Sequence, residues 1–144
     1  MYKLSTFDRF LIDTMKRYGI PLLRISLAIV FLWFGTLKVI GMSPVVELVE
    51  ATYPSFPEPL FITILGIWEV IIGIGLLIKL FLRFALALLW MQMGGIFLGL
   101  FLSPSLYFLQ NNPLLLSING EFVIKNFILV ASSIVVGGYE VVGK

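Results

Sequence analysis

The sequence predicts an all-α, polytopic membrane protein: an antiparallel four-transmembrane-helix bundle with an N-terminal amphipathic interfacial helix. The observations behind this are an apolar composition, four long apolar runs and an uneven distribution of lysine and arginine. Of the 144 residues, 60% are hydrophobic and 12% are charged, and a water-soluble domain of this size has too much surface to bury so many apolar side chains. We therefore expect one membrane domain over residues 1–144.

Residues 1–19 show the pattern of a helix that lies on a membrane surface. Apolar residues recur at helical spacing, and charged residues fill the other face. The apolar set is Leu4, Phe7, Leu11, Met15 and Tyr18, and the charged set is Lys3, Asp8, Arg9, Asp13, Lys16 and Arg17. An interfacial anchor that leads into the first span is favoured over a partner-binding helix.

Four apolar runs follow, and each is close to the ~20 residues that cross the hydrocarbon layer of a bilayer. They cover about 21–41, 60–80, 84–103 and 121–142. Between the first two, Ser43 and Pro44 resemble an N-cap and first helical position, which predicts a short surface helix from Val45 to Ala51. Asn119-Gly120 is a turn signal before the fourth span.

The basic residues predict the orientation, because positively charged loops stay in the cytoplasm. The basic residues outside the spans lie before the first span, in the short connection at Lys79 and Arg83, and at Lys144. The connections 42–59 and 104–120 contain no lysine or arginine. We expect a multi-pass protein of the plasma (inner) membrane with both termini cytoplasmic.

Glycines mark expected helix contacts, because they let backbones approach closely inside a bundle. Gly95 and Gly99 form a GxxxG pair, Gly66 and Gly73 flank Glu69, and Gly35 lies on the first span. Packing within the bundle is favoured over a separate dimer interface.

Charged residues at membrane depth are costly, so they tend to pair inside a bundle. Arg24 and Lys38 lie fourteen residues apart on one face of the first span, and Glu69 falls near the middle of the second. We predict that Glu69 pairs with Lys38 or with Lys125, and that Arg24 closes the network from the cytoplasmic side.

Other polar residues extend this predicted network. Gln92 on the third span is its expected neutral member, Glu121 is a helical neighbour of Lys125, and Asn126 adjoins Lys125. A simpler interpretation is that the charges only fix helix register, and the two lysines also lie close enough to a helix end to snorkel.

The chain contains no cysteine and no histidine. This excludes disulfides, thiol redox chemistry, thiolate zinc sites, iron–sulfur ligation and imidazole ligation of haem or copper. We expect no metal site, and any redox cofactor has to be held non-covalently. The net charge of +2 is small and scattered, so nucleic acid is not an expected partner.

Three segments together resemble the DoxX family of four-span membrane proteins. They are Leu23 to Lys38 (LRISLAIVFLWFGTLK), Gly66 to Gly73 (GIWEVIIG) and Gly120 to Asn126 (GEFVIKN). The resemblance covers about 21–140 and implies that Arg24, Lys38, Glu69 and Lys125 are family-type polar positions. It also implies a link to quinone-dependent oxidoreductases or to resistance against reactive oxidants, although many members have no assigned activity.

Two functions follow as expectations. The first is an accessory component of a membrane redox or oxidant-defence system that binds a quinone or another small apolar ligand while a partner protein supplies electrons. The alternative is a non-catalytic scaffold, assembly factor or chaperone for another membrane protein. Enzymatic activity of the chain alone is not favoured, membrane lipids are expected partners, and a homo-oligomer is left open. A transporter is disfavoured because broken midplane helices are not evident.

Overall fold

The structure, a computed structural model, describes residues 5–141 and is built almost entirely from helices. The α-helices are α1 (Thr6–Val39), α2 (Val46–Thr52), α3 (Leu60–Leu77), α4 (Leu82–Leu102), α5 (Pro104–Tyr107) and α6 (Ile118–Glu140). Short 3₁₀ turns cover Lys79–Phe81 and Leu109–Asn111. The predicted all-α class is confirmed for the described residues.

Four helices in the described part of the chain are long and apolar enough to cross a membrane. They are α1, α3, α4 with the preceding 3₁₀ turn, and α6. Large apolar side chains such as Trp33, Phe84, Phe101 and Ile128 are exposed on the outside, as expected when lipid is the solvent. The prediction of a multi-pass membrane protein is confirmed at this level.

Contacts between helices show that neighbours run in opposite directions. Arg24 near the middle of α1 contacts the end of α3, whereas Gly35 near the end of α1 contacts Gly66. Similarly, Trp90 in α4 contacts Ser133 in α6, and Phe97 stacks on Phe127. The helices therefore form a ring in the order α1, α3, α4, α6. We call its two ends the α2 end, where α1 stops and α3 starts, and the Lys79 end.

The apolar core lies in the half of the bundle nearer the Lys79 end. Each of the four long helices contributes to it, and many of its side chains are fully enclosed. Its members include Leu27, Ala28 and Phe31 of α1, Ile72 and Leu76 of α3, Ala85, Leu86 and Leu89 of α4, and Val136 of α6. In the half nearer the α2 end, Lys38 and Glu69 enter the interior.

The first helix differs from the prediction. We expected a separate interfacial helix over 1–19, of which Leu4 and Lys3 lie outside the described residues, but α1 runs without a break from Thr6 to Val39. Ser5 and Asp8 form a capping box at its start. Pro21 is accommodated inside the helix, where it removes one backbone hydrogen bond and permits a bend.

Three local predictions on the connections also need correction. The short surface helix exists, but it begins at Val46 and lacks the expected Ser43 cap. Asn119 and Gly120 lie in the first turn of α6, which Ser117 caps. Gly120 is required there because a Cβ would collide with the Tyr107 carbonyl oxygen. A turn signal and a tight helix packing position look alike in sequence, since both favour glycine.

The predicted packing glycines divide into two groups. Gly35, Gly66, Gly73 and Gly99 lie where an added Cβ would come within about 3 Å of a neighbouring helix or loop, whereas Gly95 has open space at its Cβ position. The GxxxG interpretation is therefore wrong for Gly95, because its Cβ position faces open space and no helix packs against it there.

Candidate functional site

Three side chains from three helices meet around the carboxylate of Glu69. Lys38 Nζ donates to Glu69 Oε2 and Gln92 Nε2 donates to Glu69 Oε1, both at 2.6 Å. The Lys38 and Glu69 side chains are each only 8% exposed. We call this group the Lys38–Glu69–Gln92 triad. Both carboxylate oxygens are engaged, and charge-assisted bonds of this length are among the stronger ones in proteins.

The close contact of α1 with α3 sets the Lys38–Glu69 distance. A Cβ on Gly66 would lie 2.8 Å from both the Gly35 carbonyl oxygen and the Lys38 Cβ, so the two backbones nearly touch. The end of α1 is fixed by Gly41, whose φ of +73° completes a helix-terminating turn in which Met42 N donates to the Leu37 carbonyl oxygen. Lys38 is thereby held in the last turn beside Glu69.

The α3–α4 contact brings Gln92 to the other carboxylate oxygen. The Trp68 indole donates to the Leu88 carbonyl oxygen at 3.2 Å, one turn before Gln92, and this anchors α3 against α4. The amide nitrogen of Gln92 faces Glu69, so its amide oxygen Oε1 points away from that carboxylate. That oxygen is buried and has no hydrogen-bond donor among the described residues, which is an unusual state for a buried acceptor.

A cleft opens beside Lys38 at the α2 end of the bundle. Its volume is about 400 Å³, and it is lined mainly by residues from the end of α1, the start of α2 and the start of α3. Apolar side chains such as Ile40, Val46 and Ile62 form walls, while Lys38 and Glu58 supply charge. Lys38 therefore belongs both to the triad and to a surface cleft.

Hydroxyl groups from the connections also enter the bundle near this end. The Tyr53 hydroxyl donates to the Gly95 carbonyl oxygen at 2.6 Å, and the Thr52 and Tyr107 hydroxyls lie 2.6 Å apart. Burial, followed by the neighbouring Tyr107, raises the pKa of Tyr53 above its ordinary value. Tyr53 therefore stays a neutral donor. Nothing local in the sequence predicts these long-range bonds.

Arg24 does not close the Glu69 network, contrary to the prediction. It lies fourteen residues before Lys38, about 21 Å along the helix axis, and it serves a second cluster at the Lys79 end. There Arg24 Nη1 donates to the carbonyl oxygens of Leu76 and Leu77 at 2.9 and 3.0 Å. These carbonyls end α3, and a cation is favourable at a helix C-terminus.

Glu140 completes this second cluster. Its Oε2 lies 3.0 Å from Arg24 Nε and 3.4 Å from Lys79 Nζ. The Arg24 contact is an ion pair without the alignment of a hydrogen bond, because neither atom has a hydrogen-bonding partner among residues 5–141. Sequence analysis missed Glu140. Glu140 is the one acidic residue between positions 122 and 144 of the sequence, and the predicted orientation puts it at the same end of the bundle as Arg24 and Lys79.

The third predicted group lies outside the triad. Lys125 pairs with Glu121 at 3.5 Å on the bundle surface, and their side chains are 70% and 62% exposed. Lys125 is two residues from the buried Val123 and therefore points to the opposite side of α6. Asn126 is buried on the inner face of α6 but makes no hydrogen bond with Glu69 or Lys38. The predicted membership of Lys125 and Glu121 in the buried network is wrong.

The triad can hold a charge, share a proton and donate hydrogen bonds to a ligand, whereas electron transfer requires a separate cofactor or partner. Among residues 5–141, no group of three or more acidic, histidine or cysteine side chains is placed to hold a metal ion. The chain matches no protein-family model, no curated protein and no solved structure.

Proposed function

We propose that this chain is a DoxX-like accessory component of a membrane redox or oxidant-defence system, and that it binds a quinone or a similar small apolar ligand. The observation that carries the proposal is the position of Lys38, which joins a buried carboxylate to an open cleft with both polar and apolar lining. Electrons would come from a partner protein, because the chain has neither cysteine nor histidine.

The closed ion pair is compatible with ligand binding. A lysine ammonium has three N–H donors, and in the triad one of them serves Glu69. A ligand carbonyl in the cleft can therefore accept a hydrogen bond from Lys38 while Glu69 keeps its own. Glu69 balances the charge and is the group that can exchange a proton during quinone reduction.

The size of the cleft suits such a ligand. A volume of about 400 Å³ lies within the usual range for small-molecule sites. Ile40, Val46 and Ile62 offer apolar contact to a ring. The cleft lies at the end of a spanning helix, so an isoprenoid tail can remain in the lipid.

The family assignment and the orientation are part of the same proposal. Two of the three segments that resemble the DoxX family supply Lys38 and Glu69, and these residues meet in the structure. The lysine of the third segment, Lys125, does not join them. The positive-inside rule supports an inner membrane location in which the Lys79 end is cytoplasmic and residues 6–20 are an anchor near the cytoplasmic surface.

A direct binding measurement tests the ligand. Protein in lipid nanodiscs would be titrated with a short-chain ubiquinone and binding followed by quenching of tryptophan fluorescence. Wild-type protein and the control K125M, which removes an exposed lysine, should bind alike, while K38M should weaken binding about tenfold or more because a charge-assisted hydrogen bond is lost. Failure of wild-type protein to bind, or equal binding by K38M, would overturn the proposal.

A non-catalytic scaffold is the second candidate, and one specific observation favours it. Lys38 and Glu69 form a short, closed pair where α1 and α3 make backbone contact, as expected of a pair that only fixes helix register. In that case the exchanged pair K38E/E69K would restore stability. It would also restore oxidant resistance to a strain that lacks the protein. If the exchanged protein is stable but the strain stays sensitive to oxidants, the scaffold is excluded.

A further inference from the structure

One face of α4 carries polar groups from the triad to the α2 end of the bundle. Gln92, Gly95 and Gly99 share this face, since they are spaced by three and four residues. The side-chain oxygen Oε1 of Gln92 is buried and has no hydrogen-bond donor among the described residues. At Gly95 the backbone carbonyl accepts from the Tyr53 hydroxyl. At Gly99 lies the Thr52–Tyr107 hydroxyl pair.

The spacing of these groups matches bridging water molecules. Gln92 and Gly95 are separated by about 4.5 Å along the helix axis, and Gly95 and Gly99 by about 6 Å. One water bridging two groups through hydrogen bonds of ordinary length spans up to about 5.6 Å. By axial spacing alone, the step from Gln92 to Gly95 fits one water, whereas the step from Gly95 to Gly99 is slightly longer than one water spans.

Open space lies at the Cβ position of Gly95, one turn from Gln92. A Cβ placed on Gly95 would meet nothing within 4 Å, whereas one on Gly99 would lie 2.9 Å from Thr52 Cγ2 and 3.0 Å from the Tyr107 hydroxyl. The path is thus open at Gly95 and narrow at the hydroxyl pair. An unsatisfied buried acceptor next to open space is a position where bound water is favourable.

We propose that this face of α4 is a water-mediated proton path between Glu69 and the aqueous side at the α2 end. A proton from bulk water passes the hydroxyl groups and the bridging waters and reaches the Glu69 carboxylate. One proton moves and no electron does, so the products are neutral Glu69 and an ammonium on Lys38 that keeps its proton. Gln92 cannot ionise, and its role is to orient water.

The groups around Glu69 are consistent with a single proton acceptor. Lys38 faces it from α1 and Gln92 from α4. Tyr53 and Tyr107 lie further along the α4 face, and Glu58 stands at the cleft beside Lys38. Arg24 and Glu140 belong to the other end of the bundle. This inference goes beyond ligand binding, because the path does not depend on what occupies the cleft.

The absence of native cysteine permits a clean test of water access. Gly94 and Gly95 are adjacent and both have open space at the Cβ position, but Gly94 lines an apolar groove between α4 and α6. The variants G95C and G94C would be reconstituted in liposomes and exposed to Ag⁺, which reacts with thiols that water reaches. Protected thiols would then be counted with a maleimide after denaturation.

We expect Ag⁺ to protect G95C at least tenfold faster than G94C, because a thiol must ionise in contact with water to react. Equal rates, or an inert G95C in a folded protein, would overturn the path. The assay contains no quinone, so its outcome is independent of the ligand proposal.

A second measurement follows the proton itself. The infrared carbonyl band of neutral Glu69, identified by its loss in E69Q, would be recorded after a rapid pH drop. Y53F should slow the appearance of this band about tenfold or more, while Y139F, which alters an exposed tyrosine, should not. An unchanged rate in Y53F, or no Glu69 band at any pH at which the protein stays folded, would also contradict the proposal.

Discussion

Replacing Lys38 with methionine isolates the electrostatic contribution of the triad. Methionine preserves most of the length and apolar character of the lysine stem but removes the ammonium. Glu69 then retains one partner, the Gln92 amide at 2.6 Å. It lies nine residues after Leu60 and eight before Leu77, about 12–14 Å from either end of α3, so its short side chain cannot reach the membrane surface. We therefore expect a large loss of stability.

The magnitude follows from two limits. Removing one partner of a buried ion pair costs about 3–5 kcal/mol, since the other charge is left uncompensated. A glutamate of ordinary acidity can escape this cost by taking up a proton, which requires about 3.7 kcal/mol at pH 7, from 2.7 pH units at about 1.36 kcal/mol each. We predict that K38M lowers the free energy of unfolding by about 3 kcal/mol.

The reverse substitution should be milder because of where Lys38 lies. In E69Q the ammonium remains, but Lys38 is in the last turn of α1 and borders the cleft. Its long side chain can turn toward water, and the helix C-terminus favours a cation. A loss of about 1 kcal/mol is expected. The double variant K38M/E69M, which removes both charges, should recover about 2 kcal/mol relative to K38M.

The assay is reversible unfolding in mixed micelles of lipid-like detergent and SDS, monitored by far-ultraviolet circular dichroism. K125M serves as the matched control, because its lysine is exposed and should contribute less than about 1 kcal/mol. Lys38 and Glu69 are not a buried pair if K38M and K125M are equally stable. The same holds if the stability losses of the single variants K38M and E69M add up to the loss in the double variant K38M/E69M.

Three further predictions address the parts of the bundle around the triad. G66A should cost about 1–3 kcal/mol because its Cβ would press on backbone atoms of α1, whereas G94A should change little; equal unfolding free energies would refute this packing. R24M should cost about 3–5 kcal/mol in the same assay, since it leaves the buried Glu140 carboxylate with only the exposed Lys79 as a partner, and a neutral result would contradict the second cluster. The adjacent Glu58 carboxyl raises the pKa of Glu50, so proton uptake by Glu50 favours the folded protein below the ordinary pKa, and this contribution is lost as pH rises through the folded value. E58Q should lower the pKa of Glu50 in a ¹³C NMR titration, and an unchanged titration would refute the contact.

Hydropathy and charge were sufficient to predict the architecture. Each apolar run became a helix, because in lipid the backbone must satisfy its own hydrogen bonds. The cost of a mid-span carboxylate also predicted that Glu69 needs a partner, with Lys38 as one of two candidates and Gln92 as a third member. These predictions depend on rules that act along one helix or on the membrane as a solvent.

The choice between Lys38 and Lys125 depended on helix phase, which the charges alone do not give. The inner face of α6 passes through Val123, Asn126 and Ser133, and this stripe turns Lys125 outward. In the same way, the fourteen residues between Arg24 and Lys38 put both on one face but separate them by several turns. Residues that share a face need not share a network.

Contacts made by the connections were beyond sequence reasoning. Thr52 and Tyr53 end a short helix, and Tyr107 lies in another, yet their hydroxyls bond to each other or to α4. The bonded residues are 42 positions apart in the sequence in one case and 55 in the other. No local periodicity encodes such bonds. The continuity of α1 was missed because charged residues before Pro21 indicated a change of environment, which a helix can cross without a break.

A solid-state NMR distance in lipid bilayers tests directly whether Lys38 and Glu69 form a buried ion pair. Protein labelled at Lys38 ¹⁵Nζ and Glu69 ¹³Cδ would be examined for their dipolar coupling at neutral pH. With Nζ 2.6 Å from Oε2, we predict a strong coupling together with the chemical shift of an ionised carboxylate. No measurable coupling, or the shift of a neutral acid, would contradict a buried ion pair at the centre of this bundle.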